Sequence, residues 1–212
     1  MYTEISFRIA ALVIFLTGVS ISIYHRRKAD VESEETVSAR DEGRLMFLSL
    51  RLGGLVLWFS VLAYLINPDW LAWSRIGLPA ALRWAGVGLG LICDLLILWL
   101  FRSLGNSISP TVATRREHRL VTMGPYRYVR HPLYSVGTLF FLSLALMADS
   151  WFIGVLAILA LMLLRLRIPN EEAHLVARFG DEYRAYRQTT GMLLPRIGAR
   201  SLPAGDRGTV GQ

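Results

Sequence analysis

Residues 132–167 read PLYSVGTLFFLSLALMADSWFIGVLAILALMLLRLR, an apolar run broken in its middle only by Ala148-Asp149-Ser150. Backbone N–H and C=O groups cannot stay unpaired in lipid, so a run of this kind is helical. The break divides it into two short helices, 132–147 and 151–167, folded back as a tight hairpin. Working outward, three more stretches are long enough to span alone: 5–24, 45–66 and 80–101. Each is near the ~20 residues that a bilayer demands. No pattern of ~10-residue alternating strands, as a β-barrel needs, is present. The fold expected is an all-α integral membrane protein. It has about five transmembrane helices, the last two a tight hairpin, followed by a cytoplasmic C-terminal helix.

Composition agrees. The chain has 212 residues, 53% hydrophobic and 18% charged, with mean hydropathy +0.41. A soluble domain averages about 25% charged residues. One cysteine excludes an internal disulfide and a Cys-rich zinc site; no metal and no nucleic acid are expected. The net charge of +7 is assigned to cytoplasmic loops and anionic lipid. Segments 25–44, 102–130 and 165–212 hold 19 of the 23 Lys and Arg residues. The positive-inside bias therefore predicts an outside N-terminus and a cytoplasmic C-terminus. The first span is read as uncleaved, because its basic cluster His25-Arg26-Arg27-Lys28 follows the apolar run.

Several residues inside the spans stand out. Gly86 and Gly90 form a GxxxG face suited to close helix packing, and Gly53-Gly54 suggest the same in the second span. Arg51 lies near a span end and is read as snorkelling. Asp94 lies deeper, where an ionisable group is costly; a structural hydrogen bond and a functional role both remain open. Residues 28–44 form a charged solvated loop, and 198–212 a loose tail rich in Gly, Pro and Arg.

Polar residues concentrate in 105–131 and 165–190, which the topology places on one side, at the two feet of the hairpin. In Tyr126-Arg127-Tyr128-Val129-Arg130-His131-Pro132-Leu133-Tyr134, proline biases His131 away from helical angles and favours a helix start at Pro132. The free N–H groups of that start suit a carboxylate or phosphate. An interfacial belt of Tyr and Arg explains the same residues, and both readings stand at this point. Glu171-Glu172 follow the fifth span, either as ligands for a cation or as a solvated first turn. Pro169 is expected to end the span and open a new helix. Leu175, Phe179, Tyr183 and Tyr186 recur at helical spacing, as a packing stripe does.

Two of these stretches carry a resemblance. Residues 120–134, LVTMGPYRYVRHPLY, resemble the signature of the isoprenylcysteine carboxyl methyltransferase family, shared more loosely with phospholipid N-methyltransferases. Glu171-Glu172-x-x-Leu175, Phe179-Gly180-x-Glu182-Tyr183-x-x-Tyr186 and the closing Leu194-Pro195 resemble that family's second signature. The likeness covers roughly residues 100–196. It implies an integral membrane enzyme that uses S-adenosyl-L-methionine. Three N-terminal transmembrane helices would fill 1–101 and a cofactor-binding core 102–197, with a flexible tail 198–212.

By matching motif positions, the resemblance places His118, Arg119, Leu120, Val121, Tyr126, Arg130, His131, Pro132, Leu133 and Tyr134 around the cofactor, with Thr111 a further polar contact. Glu171 would face the cofactor and Arg167 the substrate, and these two are the implied catalytic residues. The implied acceptor is an isoprenylcysteine-like carboxylate or another lipophilic molecule drawn from membrane lipid. Lipid-amine N-methylation is the alternative. A non-enzymatic membrane subunit or sensor is a reading of another class, and a sterol-type reductase a third.

Overall fold

The computed structural model describes residues 2–31, 44–104 and 120–196. They form six helices: α1 Tyr2–Val31, α2 Arg44–Ile66, α3 Ala80–Leu104, α4 Pro132–Ala148, α5 Trp151–Phe179 and α6 Asp181–Thr189. A 3-10 turn, Pro68–Ser74, follows α2. Among the described residues there is no strand, only two isolated bridges. Four helices are long and apolar enough to cross a membrane; α4, with 17 residues, is shorter. Large apolar side chains cover the outside, among them Phe59, Leu95, Leu159 and Met162. That surface suits lipid, because water would leave so large an apolar face unsupported.

The core lies where α3 and α4 pack along each other and α1 crosses both. Ala11 and Ile14 of α1 meet Cys93 and Ile97 of α3 and Phe140 and Leu144 of α4 in one buried cluster. Glycines permit the approach. A Cβ on Gly86 would fall 2.8 Å from the Leu146 Cβ, and one on Gly90 would fall 3.0 Å from Ile14. The GxxxG expectation holds for this face. In α2 the approach is looser: a Cβ on Gly53 would meet Leu163 of α5 at an ordinary 3.7 Å, and one on Gly54 would meet nothing within 4 Å.

One expected boundary is corrected. Pro169 does not end the fifth span; α5 continues through it to Phe179. Proline removes one helical hydrogen bond, yet the helix is continuous across it. Arg167 and Glu171 pair across it at 3.1 Å. At ~1.5 Å per residue, α5 runs for about 43 Å, beyond the ~30 Å hydrocarbon layer. Its last turns therefore reach beyond that layer, and they carry site residues packed against the start of α4. The real break is at Gly180, with φ 56.

At the end of the bundle away from these turns, four elements are locked together. The Glu4 carboxylate accepts from Arg83 Nη1 at 2.7 Å and from the Tyr64 hydroxyl at 3.1 Å, and Arg83 Nε donates to Met147 O at 2.9 Å. Asp149 is left-handed at the end of α4, and its carboxylate accepts from Gly77 N and Leu78 N. Ser74 and Ser150 bond at 2.7 Å. Arg51 is exposed, with its guanidinium 4.3 Å from the Phe47 ring. Asp94 is buried, and neither carboxylate oxygen has a hydrogen-bond partner among the described residues. Of the two readings left open for Asp94, the structural hydrogen bond is not found among the described residues.

Candidate functional site

The site forms where the start of α4 meets the extended end of α5. Gly124 opens a short 3-10 turn, Gly124–Arg127, with φ 61. A Cβ there would fall 2.2 Å from Ser103 Oγ at the end of α3, so this turn can lie against α3 only with glycine. His131 leaves helical angles (φ −119, ψ 58) and α4 begins at Pro132, as the sequence predicts.

A strap after α6 fixes this entry. Arg130 N donates to Gly191 O at 2.8 Å and His131 N to Met192 O at 3.0 Å, while Ser135 Oγ donates to Leu193 O. Tyr186 donates to Tyr126 O at 2.6 Å. A Cβ on Gly191 would overlap Leu194 O at 1.8 Å. The strap's tight turn thus excludes a side chain there.

Neighbouring carboxylates do different work. Adjacent helix positions point about 100° apart, so Glu171 and Glu172 face different partners. Glu172 is buried and accepts from Arg130 Nε at 2.8 Å; Arg187 Nε lies 3.4 Å away. Arg130 also reaches the carbonyls of Arg187 and Thr190. Glu171 instead accepts from the Tyr134 hydroxyl at 2.6 Å and faces Arg167. His131 bridges the two: its Nδ1 is 3.5 Å from Glu171 and its Nε2 3.4 Å from Glu172. Its ring stacks on Tyr134 with 5.6 Å between centroids. Burial holds the His131 pKa below its usual 6.5, with Arg130 helping and Glu172 opposing. The ring is therefore neutral at pH 7, and a neutral imidazole donates from one nitrogen only. The two carboxylates compete for one proton. Burial also pushes the phenols of Tyr126, Tyr183 and Tyr186 upward, so they remain protonated donors.

Beside Tyr134 and Arg167 a cavity of about 240 Å³ opens between α2, α4 and α5. Leu133 lines its mouth, and Leu57, Phe141 and Ala157 lie deeper. From Leu133 to Phe141 along α4, and from Arg167 to Ala157 along α5, it runs about 12–15 Å into the bundle.

The structure thus gathers Arg130, His131, Tyr134, Arg167 and Glu171, with Pro132 buried beneath them and Leu133 on the cavity wall. Arg167 and Glu171 share one continuous helix. Tyr126 is tied to α6. Leu120 and Val121 are half-buried at the start of the described segment. Thr111, His118 and Arg119 lie outside the described residues. The sequence weighed Glu172 with Glu171 as a ligand for a cation; its pairing with Arg130 and the part of Arg187 were not foreseen. The adjacency of two glutamates was the available signal for Glu172; nothing local marked Arg187.

Residues 81–182 match the phospholipid methyltransferase family. The protein-S-isoprenylcysteine O-methyltransferase of Schizosaccharomyces pombe is 38% identical over 96 residues, covering 44% of this chain and 41% of that protein. A nickel-cobalt-cadmium resistance protein of Alcaligenes xylosoxydans xylosoxydans is 31% identical over 86 residues, 41% of this chain and 40% of that one. The chain therefore spans about two fifths of the length of these relatives. The solved eukaryotic intramembrane Ras methyltransferase, isoprenylcysteine carboxyl methyltransferase, superposes with a TM-score of 0.56 at 19% identity, over 89% of this chain and 68% of that one. That likeness bears on fold alone. Residues 81–182 of this chain thus match the phospholipid methyltransferase family, and the chain is similar in sequence to an isoprenylcysteine O-methyltransferase and in fold to a solved enzyme of that kind.

Proposed function

We propose that this chain is an integral membrane methyltransferase that uses S-adenosyl-L-methionine to O-methylate the carboxylate of an isoprenylcysteine-like or other apolar-tailed acceptor. The observation that carries the reading is Arg167, among the described residues the one charged group lining a mostly apolar cavity, at its mouth beside Tyr134 and 3.1 Å from Glu171. A cation at the rim of an oily slot complements an anionic head with an oily tail.

The donor set fits the cofactor, whose bound form supplies an electrophilic methyl on a cationic sulfur. Glu171 would receive its ammonium or a ribose hydroxyl, and the amino end of α4 its carboxylate. Tyr134 and Tyr126 would flank the cationic or aromatic parts; His118, Arg119, Leu120 and Val121 would complete the pocket. Arg130, held by Glu172, fixes His131 and the start of α4. Arg167 would orient the acceptor carboxylate in line with the methyl. A carboxylate is ionised at neutral pH, so no general base is required, and the buried walls exclude water. By the positive-inside bias of the sequence, the N-terminus would lie outside and the site on the cytoplasmic side.

Amine methylation of a phospholipid is the second reading, favoured by the family match over 81–182. Methyl-labelled cofactor separates the two. Incubation with a prenylcysteine or with phosphatidylethanolamine vesicles is followed by alkali. An ester releases its label as volatile methanol, and an N-methyl group does not. Alkali-labile label on the prenylcysteine is expected; stable label on the phospholipid overturns the carboxylate reading.

A further inference from the structure

Glycines in this bundle serve two different ends. Those at Gly18, Gly86 and Gly90 let helices touch: a Cβ on any of them would come within about 3 Å of a neighbour. Gly54 in α2 and Gly137 in α4 are different. Both line the cavity, and a Cβ on either would meet nothing within 4 Å. Gly88 also has open space, but it lies on the exposed outer face of α3. Glycine inside a helix destabilises it relative to alanine, and neither backbone has a positive φ to excuse it. Packing does not require glycine at Gly54 or Gly137, and what both positions leave is room.

That room lies on two walls of a slot whose third wall, α5, contributes Ala157, Ala160 and Leu163. A straight hydrocarbon chain fills a uniform narrow slot. A chain with methyl branches needs extra width at intervals, and side chains missing from two walls supply it. We infer that Gly54 and Gly137 set the girth of the acceptor's tail, admitting a methyl-branched isoprenoid chain whose anionic head sits at Arg167. The inference rests on the proposed reading of this site as the seat of an apolar-tailed acceptor.

The test uses the full chain in lipid nanodiscs, with G54L, G137L, G54A and G137A. Paired acceptors share one carboxylate head and carry either a straight or an isoprenoid tail of equal length. The expected result is at least a tenfold fall in kcat/KM for the isoprenoid tail in the leucine variants, with less than a threefold fall for the straight tail. Cofactor affinity should stay within twofold. Alanine, the better helix former, guards against misfolding and should give an intermediate shift in preference. An unchanged tail preference in all four variants overturns the inference. If no acceptor is methylated, a diazirine-tailed isoprenoid carboxylate distinguishes the two claims. Labelling of α2 or α4 that is lost in the leucine variants upholds the girth role while the methyltransferase reading falls. Labelling elsewhere, or equal labelling in every variant, overturns the girth role itself.

Discussion

The two ends of the bundle use the same chemistry to opposite effect. At one end Arg83, Glu4, Tyr64 and the Met147 carbonyl close on one another and tie α1, α2, α3 and α4 together. At the other end Arg167, Glu171 and Tyr134 make an equally dense cluster, but it opens on an apolar cavity. The bracing that this cluster lacks is supplied one layer below, by Glu172 with Arg130, Arg187 and the 190–193 strap. Arg, Glu and Tyr therefore do not mark a site by themselves. A site needs such a cluster beside empty, shaped space, held by a second layer that does not take part.

That division can be broken in graded steps. Replacing Glu172 with Ala should have the largest effect on stability, since it leaves buried Arg130 without its carboxylate. Removing one partner of a buried pair costs ~3–5 kcal/mol, which at ~2–4 °C per kcal/mol for a chain of this size lowers Tm by roughly 10 °C in detergent. A Tm within 2 °C of the parent shows that the strap stands without Glu172. Glu171→Ala should cost less stability than Glu172→Ala, but weaken cofactor binding and cut turnover at least a hundredfold, about 2.7 kcal/mol of barrier. His131→Ala should share the loss of cofactor affinity. Arg167→Ala should keep that affinity and lower turnover, and radiolabelled transfer measured beside calorimetric binding separates the two roles.

Glu4→Ala at the braced end should cost ~1.5–3 kcal/mol, as losing hydrogen bonds to a charged group does, with cofactor affinity unchanged. Gly86→Val should cost ~1–3 kcal/mol by overpacking α3 against α4, again without touching the site. Either variant weakening cofactor binding tenfold shows that the ends are coupled.

The smallest effect is on pH. The folded-state pKa of His131 is depressed by burial, so the folded protein binds its proton less readily than the unfolded chain. Stability from the neutral ring is present above pH 6.5. It is lost progressively as pH falls below that value toward the folded pKa. Tm measured from pH 8 to 5 should fall in parent protein more than in His131→Gln; identical profiles remove His131 as the cause.

Much of this was legible in the sequence. Apolar length located the helices, to within a few residues except at the end of α5, and Pro132 marked the start of α4 because proline's ring favours a first turn. Pro169 misled for a related reason: the same ring that breaks a helix in water is tolerated in a membrane helix supported by its neighbours. The motifs brought Arg130, His131, Tyr134, Arg167 and Glu171 together before any distance was known. Glu172 and Arg187 were harder to read, because their roles depend on a strap that bonds through backbone carbonyls, which carry no residue identity. Gly53-Gly54 looked like a packing face, and only the position of α4 shows that Gly54 faces empty space.

Calorimetric titration of S-adenosyl-L-methionine into the parent protein, Glu171→Ala and Glu4→Ala, with a nicotinamide cofactor as control, tests the central claim most directly. The account predicts micromolar binding in the parent and in Glu4→Ala, and at least a tenfold loss in Glu171→Ala. Folded parent protein that binds no S-adenosyl-L-methionine, or that binds it equally well without the Glu171 carboxylate, contradicts the account.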